Sequence, residues 1–104
     1  MAALKDQKTV ILREITAYAK APLNGGQSYL MQSADNKLFT VVDILSVNGK
    51  HQADAGLVVR IAGDYIVIEH DMNSKPLVEA LVQAGIARQQ IILAYAGEPV
   101  PEIA

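Results

Sequence analysis

The sequence predicts an α+β fold: an antiparallel sheet of four to five strands with two helices packed on one face, in the order α-β-β-β-β-α-β. Three observations predict it. Two segments, one near each end, repeat apolar residues with helical period. Between them lie four segments rich in Val, Ile, Leu and Tyr. The turns joining those four are too short for crossovers, so neighbouring strands run antiparallel.

Residues 4–20, LKDQKTVILREITAYAK, open the chain. At about 100° per residue, Leu4, Ile11, Leu12, Ile15, Tyr18 and Ala19 share one face, while Lys5, Asp6, Arg13, Glu14 and Lys20 fall on the other. Pro22 and the pair Gly25-Gly26 stop this helix. Segments 28–33 and 37–45 are two strands around the turn Ala34-Asp35-Asn36. Asn48-Gly49 centres a second turn, because both residues tolerate positive φ; the longer flanks leave a plain two-residue hairpin open. Residues 54–61 form the third strand and 65–70 the fourth, joined by Ala62-Gly63-Asp64 with Gly63 at positive φ.

The second helix follows. Ser74 offers an oxygen to its first amides, and Pro76 suits a first turn. Leu77, Val78, Leu81 and Ala84 form its buried stripe, and Gly85 takes the left-handed position past its end. Residues 87–90 read as a short helical turn. IILAY at 91–95 reads as a fifth short strand or an extended arm, and residues 97–104, where Pro99 and Pro101 end the ordered chain, as a poorly ordered tail.

The 104 residues suit one domain with one core, residues 1–104. At 51% hydrophobic and 19% charged, the chain is not a disordered polymer. It has no cysteine, which excludes disulfides, cysteine-ligated zinc and thiol catalysis and suits a reducing cytoplasm. No signal peptide is visible and no apolar stretch reaches the roughly 18 residues a bilayer crossing needs, so a cytoplasmic protein without membrane contact is expected. A net charge of −2 and the lack of a Lys/Arg run argue against tight nucleic-acid binding and leave any DNA contact weak or indirect.

The strands carry apolar residues on both alternations: Leu38, Val42 and Ile44 on one, Phe39, Val41 and Leu45 on the other. A sheet covered on one side only alternates apolar and polar. The second face is therefore expected to be buried against another subunit, a homodimer first. The expected contact residues are Phe39, Val41 and the edge segment Ile91, Ile92, Leu93 and Tyr95.

Glu69, His70 and Asp71 stand in a row at the end of the fourth strand, and metal or acid–base chemistry uses these residue types. On a regular strand neighbours point to opposite faces, so the three converge only through a bulge. With Asp43, they allow a small ligand or metal site built on Asp43, His70 and Asp71, although no ligand-pair spacing supports it. The simpler reading is a polar strand end leading into a helix cap. Asp43 interrupts the apolar run VVDIL and needs a partner, either backbone amides or Arg60 across the sheet. No serine has a neighbouring base, and Gly25-Gly26 lacks phosphate-loop spacing, so neither nucleophilic catalysis nor a cofactor is expected. Lys5, Arg13 and Lys20 on the wet face of the first helix are the candidate phosphate contacts, or simply keep that helix soluble.

The run KLFTVVDILSVNGKHQADAGLVVRIAGDYIVIEHDMNSKPLVEALVQAGIARQQIILAY resembles the XisI-like proteins, the fdxN-element excision controlling factors of cyanobacteria. The likeness lies in order and spacing: KLFTVVDI, a turn with NGK, LVVRI-x-GDYIVIEHD, a helix closing in LVQAGI, then IILAY. It covers most of residues 8–96. The resemblance implies an α+β fold of this length. It also implies an accessory role in a site-specific DNA rearrangement, beside a nuclease-like XisH partner and a separate recombinase. It assigns no catalytic residues. Two stretches depart from the family pattern: ILSVNGK, where members often carry a tryptophan, and the short acidic GEPVPEIA, where they tend to run on with a basic, aromatic tail.

Overall fold

The computed structural model describes residues 7–20 and 26–101, apart from the Val47 side chain. Helix α1 (Lys8–Thr16) leads to β1 (Gln27–Gln32), β2 (Leu38–Val47), β3 (Lys50–Ala62) and β4 (Tyr65–Asp71). Helix α2 (Leu77–Gln83), a 3₁₀ turn (Arg88–Gln90), β5 (Ile91–Leu93) and a second 3₁₀ turn (Ala94–Ala96) follow. The sheet has five strands in the order β1-β2-β3-β4-β5.

The first four strands are antiparallel, but β5 lies parallel to β4, with Val67 opposite Ile92. The wholly antiparallel sheet expected from short turns fails only at this strand. β5 is reached through α2, and a helical crossover returns the chain in the same direction.

Helix α1 is shorter than the span of its apolar period. Its last amides tighten to i−3 partners, Tyr18 N–H to the Ile15 carbonyl and Ala19 N–H to the Thr16 carbonyl, both at 3.0 Å. Leu4, Lys5, Asp6, Pro22 and Gly25 fall outside the described residues. Asn48 and Gly49 take φ of 52° and 77°, and Val47 pairs with Lys50 across them. The turn is thus a two-residue hairpin with both central residues left-handed, the twist that flanking strands favour. The third strand consequently starts four residues earlier than its apolar run. Beyond the ends of β1 and β4, residues 45–52 continue as a two-stranded arm.

Both helices pack on one side of the sheet. Ile11 and Ile15 of α1 and Leu77 and Leu81 of α2 meet Phe39, Val41, Leu57, Val59, Ile66, Ile68 and Ile91 in one core. Each such side chain, fully buried, contributes about 1.5–3 kcal/mol. Helix α2 ends in a Schellman motif: Ile86 N–H donates to the Leu81 carbonyl and Gly85 N–H to the Val82 carbonyl, both at 3.0 Å, with Gly85 at φ 100°. Ile86, buried, adds the apolar contact that accompanies this cap. Among the described residues no helix is long and apolar enough to cross a membrane.

Candidate functional site

The face of the sheet turned away from the helices is only partly covered. Register and alternation place Tyr29, Met31, Leu38, Thr40, Val42, Ile44, Val58 and Arg60 on it. Tyr29 is 45% exposed, Met31 54%, Leu38 41% and Ile44 41%. Further along, Val67 and Ile92 pair on the same face and are buried, so the bare part is the surface of β1, β2 and β3. Arg60 closes it on the β4 side, with Nε 2.5 Å from Glu69 Oε2.

The residues first expected to meet a partner lie elsewhere. Phe39 and Val41 are buried under the chain's own helices, and Ile91 and Ile92 are buried at the β4–β5 pair. Leu93 is half-buried against the core, and Tyr95 is exposed. Alternation identifies two faces but not which face the helices take. The exposed apolar set falls on Leu38, Val42 and Ile44, with Tyr29 and Met31 beside them.

The bulge that convergence of Glu69, His70 and Asp71 requires is present. Val58 pairs with His70 and Val59 with Ile68, leaving Glu69 as the extra residue of β4. It turns Glu69 and His70 to the same face, but not Asp71, which pairs with Leu57 on the helix side. Asp71 is the cap of α2. Its Oδ2 accepts the Leu77 N–H at 2.7 Å, and its Oδ1 accepts the Asn73 backbone N–H at 2.9 Å and the Asn73 side-chain amide at 2.8 Å. Ser74, the expected cap, makes no such bond: Pro76 has no N–H to offer it, and the Leu77 N–H goes to Asp71.

Asp43 lies apart from both. Its Oδ1 accepts the Ser28 hydroxyl at 2.5 Å, and Arg60, a partner weighed from sequence, pairs with Glu69 instead because it faces the other side of the sheet. A Cβ on Gly56 would come within 2.5 Å of Asp43 Oδ2. Gly56 is the extra residue of a second bulge, between Val41↔Leu57 and Val42↔Ala55. The structure therefore does not gather Asp43, His70 and Asp71. Among the described residues no group of three His, Asp or Glu side chains is placed to hold a metal ion.

Tyr18 is tied into the fold. Burial pushes the Tyr18 phenol up to about 12, with the charge of Asp71 adding to it, and its hydroxyl donates to the Lys75 carbonyl at 2.8 Å. Of the candidate phosphate contacts, Lys5 lies outside the described residues, Lys20 is exposed, and Arg13 is exposed with Nε 3.3 Å from Glu14 Oε2. A cavity of about 230 Å³ opens between α1 and the strand ends, floored by Ile11, Leu12, Phe39 and Ile61 and rimmed by Lys8, Gln32 and Asn36. It offers no acid–base pair.

Comparison with known proteins gives one answer. The family described as XisI protein matches residues 1–103. A crystal structure of a XisI-like protein from Anabaena variabilis is similar with a TM-score of 0.68 at 17% identity, over 86% of this chain and 83% of that one. The fdxN element excision controlling factor XisI from Anabaena variabilis is similar with a TM-score of 0.59 at 19% identity, over 85% of this chain and 84% of that one. No curated protein matches.

Proposed function

The chain belongs to the XisI family, and from that premise we propose that it is a non-enzymatic controlling factor for excision of a DNA element. It acts by protein contact through the bare face of β1–β3. The observation that carries this reading is the display of Tyr29, Met31, Leu38 and Ile44, four large apolar side chains on one face of one sheet. Contiguous exposed apolar surface marks a site of interaction. The family relative whose structure is similar is itself an excision controlling factor. Of the carboxylates considered for chemistry, Asp71 caps α2, Asp43 accepts the Ser28 hydroxyl and Glu69 pairs with Arg60.

The partner is a protein of the nuclease-like XisH kind that the resemblance implies. The complex works in the cytoplasm, where the DNA is, and contact of this chain with DNA is indirect. The experiment is titration calorimetry against the XisH-like protein of the same genome. Leu38→Glu and Ile44→Glu each put a charge on the bare face and should weaken binding at least about tenfold, some 1.4 kcal/mol. Equal affinity for both variants and the parent would refute the docking face. Retained DNA binding by the chain alone, falling steeply with salt, would refute the indirect role.

A further inference from the structure

The two edges of the sheet differ. On the outer side of β5 the backbone is already occupied. Arg88 Nη1 donates to the Ile91 carbonyl at 2.7 Å, Leu93 N–H donates to Glu98 Oε1 at 2.9 Å, and Glu98 N–H donates to the Leu93 carbonyl at 3.1 Å. Arg88 and Glu98 hold each other at 2.9 Å. That edge has no ladder left to offer.

The opposite edge is β1, which among the described residues pairs only with β2. Ser33 N–H donates to the Leu38 carbonyl at 2.9 Å. Alternation from that bond turns the N–H and C=O of Ser28, Leu30 and Gln32 outward. Among the described residues these groups have no other partner. The strand reads QSYLMQ. It holds no Lys, Arg, Asp, Glu or Pro, the residues that ordinarily guard a free edge against pairing.

We infer that β1 is a self-pairing edge: two copies join β1 to β1, antiparallel about a twofold axis, into one continuous sheet. A neutral strand meets itself without opposing like charges. With the β5 edge closed, head-to-tail growth from β1 to β5 is unavailable, so association stops at two. The register that uses all three outward residues places Leu30 on the axis, opposite the partner's Leu30. Ser28 then faces the partner's Gln32. Tyr29 faces the partner's Met31 on the bare side of the sheet, where thioether and ring pack well. The dimer doubles the width of the bare face. It does not depend on which protein that face receives.

Sedimentation velocity is expected to give a species of twice 11.2 kDa. Gln32→Pro removes an outward N–H that the fold itself does not use, and is expected to give a monomer with an unchanged circular dichroism spectrum. The chain has no cysteine, so the register can be trapped. In a Tyr29→Cys/Met31→Cys variant each thiol faces its partner's across a pair whose Cα atoms are about 4.5 Å apart, within disulfide reach. Mild oxidation is expected to yield a covalent dimer, while Tyr95→Cys stays a monomer. A monomeric parent at about 100 µM, ample for a micromolar dimer, overturns the inference. So does a Gln32→Pro dimer, or cross-linking no faster in the double variant than in Tyr95→Cys. Leu38→Glu and Ile44→Glu leave β1 intact and should remain dimeric, so this interface and the docking face fail independently.

Discussion

Asp71 Oδ2 accepts the backbone N–H of Leu77 at 2.7 Å, so the last residue of β4 caps the helix that follows it six residues later. One side chain fixes where the strand ends, how the loop turns through Asn73, and where α2 begins. Asp71→Ala frees the Leu77 amide and both Asn73 donors together. A lost cap alone costs about 0.5–2 kcal/mol. A thermal melt should fall by roughly 4–8 °C for each kcal/mol in a domain of this size. Asp71→Asn keeps one acceptor oxygen and should fall between. An Asp71→Ala melt equal to the parent's would show that the cap is ornamental.

Gly56 and Asp43 form a second coupled pair. A methyl group on Gly56 would lie 2.5 Å from Asp43 Oδ2, while Asp43 Oδ1 is held by Ser28. Gly56→Ala must therefore push the carboxylate off its hydroxyl donor, at a cost of about 1 kcal/mol for the hydrogen bond plus any strain. In an Asp43→Ala background the obstacle is gone, and the same glycine change should cost less. A double-mutant cycle in urea measures the difference. Strict additivity would mean the two residues do not meet.

The sequence made most of this fold legible, for local reasons. Helical and twofold periods, Asn48-Gly49, Gly63 and Gly85 are short-range signals, and each holds in the structure. What it could not supply was nonlocal. The parallel seating of β5 depends on where α2 returns the chain, and the Asp71 cap on a bond across six residues. The two bulges, at Gly56 and Glu69, appear only once register is known, although a lone glycine inside an apolar strand run is the signal by which the first could have been found. Alternation separated Phe39 and Val41 from Leu38, Val42 and Ile44. Nothing local told which set the helices would cover.

That division gives a direct test with two substitutions on one sheet. Leu57 is fully buried on the helix side, and Leu57→Ala should cost about 2–5 kcal/mol in chemical denaturation. Ile44→Lys is on the bare side, where the side chain keeps its water, and should change stability by no more than about 0.5 kcal/mol. Comparable losses at both positions would mean that the second face is covered within the monomer.

The closure of the β5 edge by Glu98 should be sensitive to acid. The carboxylate is held below its usual value of 4.5, first by the N–H of Leu93 and then by the Arg88 guanidinium. A carboxylate whose pKa is depressed in the folded chain stabilises the fold fully above the ordinary value. That contribution is lost as pH falls through the depressed one. The strap is therefore intact at neutral pH and opens only below about pH 4.5. The Leu93 amide resonance in an NMR titration reads it directly, and should move with a midpoint below 4.5. Glu98→Gln should abolish the transition, whereas Arg88→Ala should raise the midpoint only in part, because the Leu93 bond is the larger cause. A Leu93 midpoint at or above 4.5, or one indifferent to Glu98→Gln, would show that Glu98 does not hold this edge.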